Sequence, residues 1–237
     1  MKIKFDFSTN YSKKVRSKNA IKYVIIHYTG MQSEIASITR LKNPRSKVST
    51  HYIINRNGKI TQMVKDENIA WHAGKSKWKN LKNLNQYSIG IELVNKGHQH
   101  GYQKFRNNQI KNLIKLCLNL KKKYSIKKEN FLGHSDIAPL RKSDPGEKFP
   151  WKKLSKNNLG KWYKKKKPIK NKFGTKINKY IFFKNLKKLG YRYFSLNIRK
   201  KVEDKKIIKS FQQHYLPSNV TGTLDQKTYI ISHFLTY

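Results

Sequence analysis

Apolar residues in this chain follow two spacings, one typical of buried strands and one of helices. Three short runs, residues 22–28, 49–55 and 88–94, are rich in β-branched and other apolar side chains, and such runs predict buried strands. Asn57 and Gly58 follow the second run. An Asn-Gly pair between apolar runs predicts a hairpin, with residues 60–64 as its return strand. Residues 131–134 predict one more short strand that ends in a polar loop.

Helical spacing begins further along the chain. Residues 108–124 predict a helix with one broad apolar face. Beyond residue 176 we expect three short helices: the first ends at Gly190, the second stops at Pro217, and Asp225 caps a third that runs toward Phe234. The apolar faces assigned to the first two of these are Ile177, Tyr180, Ile181, Leu186 and Leu189, and then Ile198, Val202, Ile208, Phe211 and Tyr215.

Strands that alternate with helices predict a mixed α/β domain whose sheet is covered by helices. Residues 152–172 contain ten lysines and no acid, which is typical of a linker or a surface connection. We therefore expect a domain at 1–155, a basic linker at 156–175 and a small three-helix domain at 176–237. The length of 237 residues suits one medium and one small domain.

The net charge of +42 raises the question of a polyanionic partner. Such a charge attracts polyanions. However, only 8 of the 54 basic residues are arginine, and it is the arginine fork that favours base and phosphate recognition. The lysines are spread over the whole chain beside many Asn and Ile residues, which favours drift toward AT-rich codons over a selected binding surface. We expect no specific nucleic-acid partner.

The cysteine count and the N-terminal residues argue against a disulfide-stabilised protein, a thiolate metal site and a secretory signal. Cys117 is the single cysteine, so an internal disulfide and a thiolate metal cluster are excluded, and any metal must be held mainly by His and carboxylate. We expect Cys117 to be a buried apolar residue. The N-terminus lacks the apolar run of a secretory signal, and no stretch approaches the roughly 18 apolar residues of a membrane helix. As written, the chain is expected to be a monomer without a transmembrane segment.

Acidic residues are scarce, so their positions are informative. Only 12 Asp and Glu residues occur, and Glu92, Asp136 and Asp144 lie in two short segments. Glu92 falls between two apolar residues of a predicted strand. Burying an unpaired acid is costly, so we expect a functional role for Glu92.

Three further polar residues lie where predicted strands end. His27 ends the first strand, and His134 and Asp144 are ten residues apart in one loop. Two histidines and a carboxylate can hold one zinc ion and leave a fourth position for water, whose pKa zinc lowers to about 7. Each residue also has a simpler explanation: His27 as a hydrogen-bonded rim histidine, and Asp144 as a turn residue before Pro145.

Five segments carry a resemblance to a known family. They are VIIHYTG (24–30), STHYII (49–54), AWHAG (70–74), SIGIEL (88–93) and the loop 133–146. Together they resemble, in the family's own order and over roughly residues 20–152, the N-acetylmuramoyl-L-alanine amidases of amidase type 2. The AmiD-like branch is the most similar, with the AmpD enzymes next.

The resemblance implies a mixed β-sheet flanked by helices and hydrolysis of the amide bond between muramic acid and L-alanine in peptidoglycan. It makes His27, His134 and Asp144 ligands of Zn²⁺. Glu92 matches the acid that activates the attacking water and passes its proton to the leaving amine. Lys142 matches the lysine that stabilises the oxyanion.

Other residues of these motifs receive weaker assignments. The resemblance places His72 and Trp71 in the substrate groove, with a structural role for His72 as the alternative. His51 is expected to be structural. His98 and His100 are expected in a solvated loop, with adventitious metal binding as the alternative.

The C-terminal segment carries a looser resemblance. KSFQQHYLP (209–217), followed by Gly222, Asp225 and Thr228, is similar to a three-helix peptidoglycan-binding domain. The expected partners are thus peptidoglycan or muropeptides. The sequence does not distinguish a substrate with intact muramic acid from one with its 1,6-anhydro form. The alternative functions are a catalytically silent protein that binds the cell wall and a protein that binds polyanions. AmiD-like enzymes are expected in the cell envelope, whereas this chain as written shows no signal.

Overall fold

The computed structural model of the chain describes residues 3–164, 176–198 and 200–236. The strands are β1 (Ile3–Phe5), β2 (Tyr11–Ser12), β3 (Tyr23–Tyr28), β4 (Tyr52–Ile54), β5 (Ile60–Gln62), β6 (Ile69–Ala70), β7 (Lys77–Trp78), β8 (Leu81–Lys82), β9 (Ser88–Leu93) and β10 (Phe131–Gly133). The helices are α1 (Glu34–Lys42), α2 (Asn107–Lys123), α3 (His134–Ile137), α4 (Trp151–Lys156), α5 (Lys179–Leu189), α6 (Lys201–Tyr215) and α7 (Gln226–Phe234).

Six strands form the central mixed sheet, in the order β1-β5-β4-β9-β3-β10. Strands β4, β9, β3 and β10 are mutually parallel, whereas β5 is antiparallel to β4. The hairpin predicted from Asn57 and Gly58 is the β4–β5 pair and is confirmed. Because β3, β9 and β10 are parallel neighbours, their carboxyl ends meet at one edge of the sheet, which is where α/β folds place their sites.

Side-chain alternation along β9 explains why one strand serves both the core and the site. Ile89, Ile91 and Leu93 face α2 and belong to one hydrophobic cluster. Successive side chains of a strand point to opposite faces, so Ser88 and Glu92 face the other way. An apolar core face and a polar site face thus alternate within six residues.

The opposite face of the sheet is covered by the C-terminal helices. Ile25 of β3 and Leu132 of β10 share one buried cluster with Phe182, Phe183 and Phe211 of α5 and α6. The three predicted helices, the end of α5 at Gly190 and the Asp225 cap of α7 are confirmed.

The predicted apolar faces were wrong at four positions. Ile177, Tyr180, Ile198 and Val202 are exposed, and α5 instead buries the adjacent pair Phe182 and Phe183. Both neighbouring aromatic residues are buried because α5 packs against α7, while Phe182 contacts Phe211 of α6 and Phe183 contacts Phe194.

Most of the expected linker lies outside the described residues, since 165–175 are not described. Just before them, Trp162 packs against both hydrophobic clusters. Cys117 is buried and unpaired, as predicted. Across the described ranges, no helix has the length and apolar character needed to cross a bilayer.

Candidate active site

Neighbouring strands place the site residues side by side. His27 in β3 is the register partner of Glu92 in β9. His134 is the first residue of α3 and directly follows β10, the other neighbour of β3. Asp144 lies in the loop after α3, and its carbonyl accepts a hydrogen bond from the backbone amide of Ser135 at 2.8 Å. The predicted residues therefore meet at the carboxyl edge of the sheet.

Three donor atoms converge on one point. The Nδ1 atoms of His27 and His134 are 2.9 Å apart, and each lies 3.0 Å from Oδ2 of Asp144. All three residues are buried. A tetrahedral zinc site with Zn–N distances of about 2.0–2.1 Å separates its donors by about 3.3 Å, so the observed spacing fits one ion. Among the described residues, this is the group that brings three metal donors together.

The protonation states of the cluster also suit a cation. Burial lowers the pKa of His27 to about 4, so its ring is neutral at pH 7. Burial alone would raise the pKa of Asp144, but its interactions with His134 first and then with His27 hold it well below its ordinary range. A neutral imidazole at His27 and an ionised carboxylate at Asp144 are forms that bind metal.

Glu92 is the unsatisfied group of the site. Its Oε2 is buried without a hydrogen-bond partner, and buried polar atoms are seldom left in that state. Burial raises the pKa of Glu92 to about 8, Asp144 adds to this effect, and Lys142 opposes it. A cation held by the three donors would favour the ionised form of Glu92. This carboxylate is thus placed to exchange a proton.

An open cavity of about 480 Å³ leads to these residues. Glu92, Lys142 and Trp71 line it together with the two histidines and Asp144. Lys142 is exposed, and Trp71 is partly exposed. The cavity therefore offers a proton acceptor, a flexible cation and an aromatic wall around one metal-binding cluster.

The other candidate histidines have different surroundings. His51 is buried, with Nδ1 accepting from the amide of Gly90 at 3.0 Å and Nε2 lying 3.1 Å from the carbonyl of Asn68. His98 borders the cavity and pairs with Glu147 at 3.0 Å. His72 is only 8% exposed, and both of its ring nitrogens have partners inside the protein.

Sequence reasoning missed two residues beside the site. The Asn85 side chain accepts hydrogen bonds from the amides of His72 and Ala73, and no sequence signal marked it. Arg141 donates to the carbonyls of Ala73 and Lys75; its place beside Lys142 in the loop was the available signal.

The sheet, the buried donor cluster and the adjacent acid form the arrangement expected of a metal-dependent hydrolase. Residues 17–147 match the family described as N-acetylmuramoyl-L-alanine amidase. The chain is 34% identical to the amidase AmiD of Escherichia coli K12 over 91% of this chain and 82% of that protein. It is 41% identical to the AmpD amidase of Haemophilus influenzae over 45% of this chain and 56% of that protein.

Solved structures agree with these relatives over nearly the whole chain. A complex of Escherichia coli AmiD with anhydro-N-acetylmuramic acid-L-Ala-D-γ-Glu-L-Lys superposes with a TM-score of 0.81 at 30% identity, covering 94% of this chain and 91% of that one. AmpDH3 of Pseudomonas aeruginosa gives a TM-score of 0.83 at 28% identity, covering 96% and 95%. The chain belongs to the N-acetylmuramoyl-L-alanine amidase family, on its AmiD-like branch, and it is an amidase.

Proposed function

We propose that this amidase uses one Zn²⁺ ion to hydrolyse the bond between N-acetylmuramic acid, or its anhydro form, and L-alanine of the stem peptide. The observation that carries the proposal is the convergence of His27, His134 and Asp144 beside an unpartnered carboxylate. When bound there, zinc would polarise the scissile carbonyl and make water more acidic. The donor set and its spacing fit that ion.

The chain's own residues divide the remaining chemistry. Glu92 accepts a proton from the attacking water and delivers it to the leaving nitrogen of L-alanine, as a general base and then a general acid. Lys142 is placed to stabilise the negative charge that develops on the carbonyl oxygen. Trp71 forms a wall of the cavity against which the sugar or peptide packs.

The substrate assignment draws support from two related structures. The AmiD complex contains an anhydromuramyl tripeptide, and AmpDH3 has been solved with an anhydromuramic pentapeptide. The cavity here is open to solvent, so it can admit a muropeptide. We expect both the anhydro and the intact sugar to be accepted, because no described side chain closes the cavity around the site.

The test uses two matched substrates, a muramyl and an anhydromuramyl tripeptide, with products identified by mass spectrometry. The expected result is free tripeptide that begins with L-alanine, together with the released sugar. Cleavage between the amino acids instead would show a peptidase, and intact substrate with zinc-loaded protein would reject the proposal.

For the C-terminal helices we propose weak binding of the polymer, which would raise the local substrate concentration. The motif at 209–217 supports this role. The test is a pull-down with insoluble peptidoglycan at rising salt, using the Glu92→Gln variant so that the polymer is not digested. Retention that persists at high salt favours this role, whereas loss of all binding with salt would show that the net charge of +42 alone attracts the wall.

A further inference from the structure

The segment that carries Trp71, His72 and Ala73 contacts both histidines of the metal cluster, His27 through a side chain and His134 through a backbone carbonyl. Nδ1 of His27 faces the other donors, and Nε2 of the same ring lies 3.0 Å from Nδ1 of His72. The two rings meet edge to face, with centroids 5.1 Å apart. His72 therefore contacts a metal-binding residue directly.

The direction of each hydrogen bond follows from its neighbours. The Ser88 hydroxyl lies 2.6 Å from the carbonyl of Leu84 and must donate there, which leaves Ser88 Oγ as an acceptor. Nε2 of His72, 3.3 Å from that oxygen, then donates to it. A neutral imidazole has one donor and one acceptor, so Nδ1 of His72 accepts from Nε2 of His27. That leaves Nδ1 of His27 without a proton, as a metal ligand requires.

The next residue holds the second histidine. Nε2 of His134 lies 3.1 Å from the carbonyl oxygen of Ala73, which can only accept. The same ring nitrogen also lies 3.2 Å from Nη2 of Arg141, but the two hydrogens of that arginine nitrogen are donated to the carbonyls of Ala73 and Lys75. His134 therefore also carries its proton on Nε2 and directs a bare Nδ1 at the cluster. Two consecutive residues thus fix the far nitrogen of both histidine ligands, one through a side chain and one through the backbone.

The surrounding structure holds this segment rigidly. Oδ1 of Asn85 accepts from the amide of His72 at 3.1 Å and from that of Ala73 at 2.6 Å. The His72 ring packs over Gly90, where a Cβ atom would lie 2.3 Å from Cγ of His72. Only glycine leaves room for the ring at this position of β9.

We propose that His72 is a positioning residue that sets the tautomer and orientation of His27, and that it does not contact substrate. The inference rests on the proposed zinc site. Outer partners of metal ligands typically change metal affinity by about 10- to 100-fold when they are removed. The proposal therefore concerns the zinc affinity of the protein before any substrate binds.

The test compares His72→Phe, which keeps a ring but has no acceptor, with His72→Asn, whose Oδ1 falls where Nδ1 of histidine lies. His100→Phe is the control, since His100 lines the same cavity without touching the cluster. Zinc dissociation constants are measured by competition with a chromogenic chelator. We expect His72→Phe to weaken zinc binding about 10- to 100-fold, His72→Asn to recover most of it, and the control to match the wild type.

Equal zinc affinity in His72→Phe with a raised KM for the muropeptide would overturn the proposal and make His72 a substrate contact. Absence of zinc binding in the wild type would instead defeat the proposed function. A second measurement needs no variant: nitrogen NMR of the zinc-loaded wild type should show His72 protonated at Nε2 and bare at Nδ1. The opposite tautomer would overturn the proposal even if the variants fail to fold.

Discussion

At Glu92, burial of a carboxylate oxygen both destabilises the fold and tunes the pKa that proton transfer needs. Glu92 is the fifth residue of a six-residue strand and is partly exposed to the cavity, but its Oε2 is buried without a hydrogen-bond partner. A residue selected for stability alone would not be left in this state, because an unsatisfied buried acid costs free energy. The same burial raises its pKa to about 8, which keeps the energies of its two protonation states close near neutral pH. Such a group is suited to both accepting and returning a proton.

We predict that Glu92→Gln abolishes catalysis and spares the fold. Glutamine has the same shape but cannot accept the proton, so kcat should fall by about 10²- to 10⁴-fold. Zinc content and the melting temperature should match or exceed the wild-type values, because the uncompensated acid is gone. Steady-state kinetics and metal analysis check this, with exposed Glu67→Gln as the matched control. Full activity in Glu92→Gln would remove Glu92 from the mechanism.

At the scale of elements, Asp136 connects α3 and the end of β10 to the C-terminal helices. Its carboxylate accepts from the amide of Gly133 at 2.8 Å, from the hydroxyl of Tyr191 at 2.5 Å and from Nδ1 of His214 at 2.8 Å. Asp136 lies two residues after His134 in α3, and His214 is in α6. Helix α6 thus takes part in fixing the turn that carries His134, a proposed metal ligand.

Asp136→Asn should therefore be strongly destabilising. The change replaces one accepting oxygen with an NH₂ group, so at least one of the buried donors that Asp136 satisfies loses its partner, at a cost of about 1–3 kcal/mol. Urea denaturation gives the free energy of unfolding. Asp6→Asn is the control, because it breaks only the surface ion pair with Lys42 and should cost under about 1 kcal/mol. Equal effects of the two variants would contradict this account of α3.

The contacts of Asp66 with Tyr52 on one side and with Lys123 and Tyr124 on the other allow a prediction of how stability depends on pH. Burial raises the pKa of Asp66, but hydrogen bonds from Tyr124, Tyr52 and Lys123 outweigh it and hold the pKa below its ordinary value of about 3.9. A carboxylate with a depressed pKa stabilises the fold at pH values above its unfolded pKa, and this contribution is lost as the pH falls through the folded value.

The free-energy difference between wild type and Asp66→Asn should thus be full at pH 6 and shrink below pH 4. Denaturant unfolding at several pH values measures it. A difference that is independent of pH would show that the charge of Asp66 does not matter and that only its shape does.

Some of these structural features could be predicted from the sequence alone, and others could not. The strand pattern of β3 and β9 gave both the sheet and the positions of His27 and Glu92, because alternation is a local property. The contacts of His72 with His27 and of Asp136 with His214 join residues 45 and 78 positions apart, and no periodicity encodes such pairs. The exposure of Val202 was missed for the same reason, since which face of a helix is buried depends on its distant neighbours. Ile198, which the pattern assigned to the helix, precedes α6, which begins at Lys201.

At the scale of the whole molecule, the C-terminal helices share a core with the sheet. Phe182, Phe183 and Phe211 are fully buried in the cluster that includes Ile25 and Leu132. Each such side chain contributes about 1.5–3 kcal/mol when it leaves water. The division into a catalytic and a binding domain remains a prediction, but this shared core argues that the two parts fold together.

Removing residues 165–237 should therefore leave a protein that is insoluble or unfolds at low denaturant. Circular dichroism and urea titration of residues 1–164 measure this, and the full chain should unfold in one transition. A stable truncated protein with full activity on a small muropeptide would show that the helices serve only to bind the wall.

The most direct measurement of the central claim is a zinc titration of metal-free protein, following release of L-alanine-initiated tripeptide. The account predicts no activity without metal, a linear rise to one equivalent of zinc and a plateau beyond it. His134→Ala should stay inactive throughout. Full activity of the metal-free protein, or a plateau far from one equivalent, would contradict the assignment of His27, His134 and Asp144 as a single catalytic zinc site.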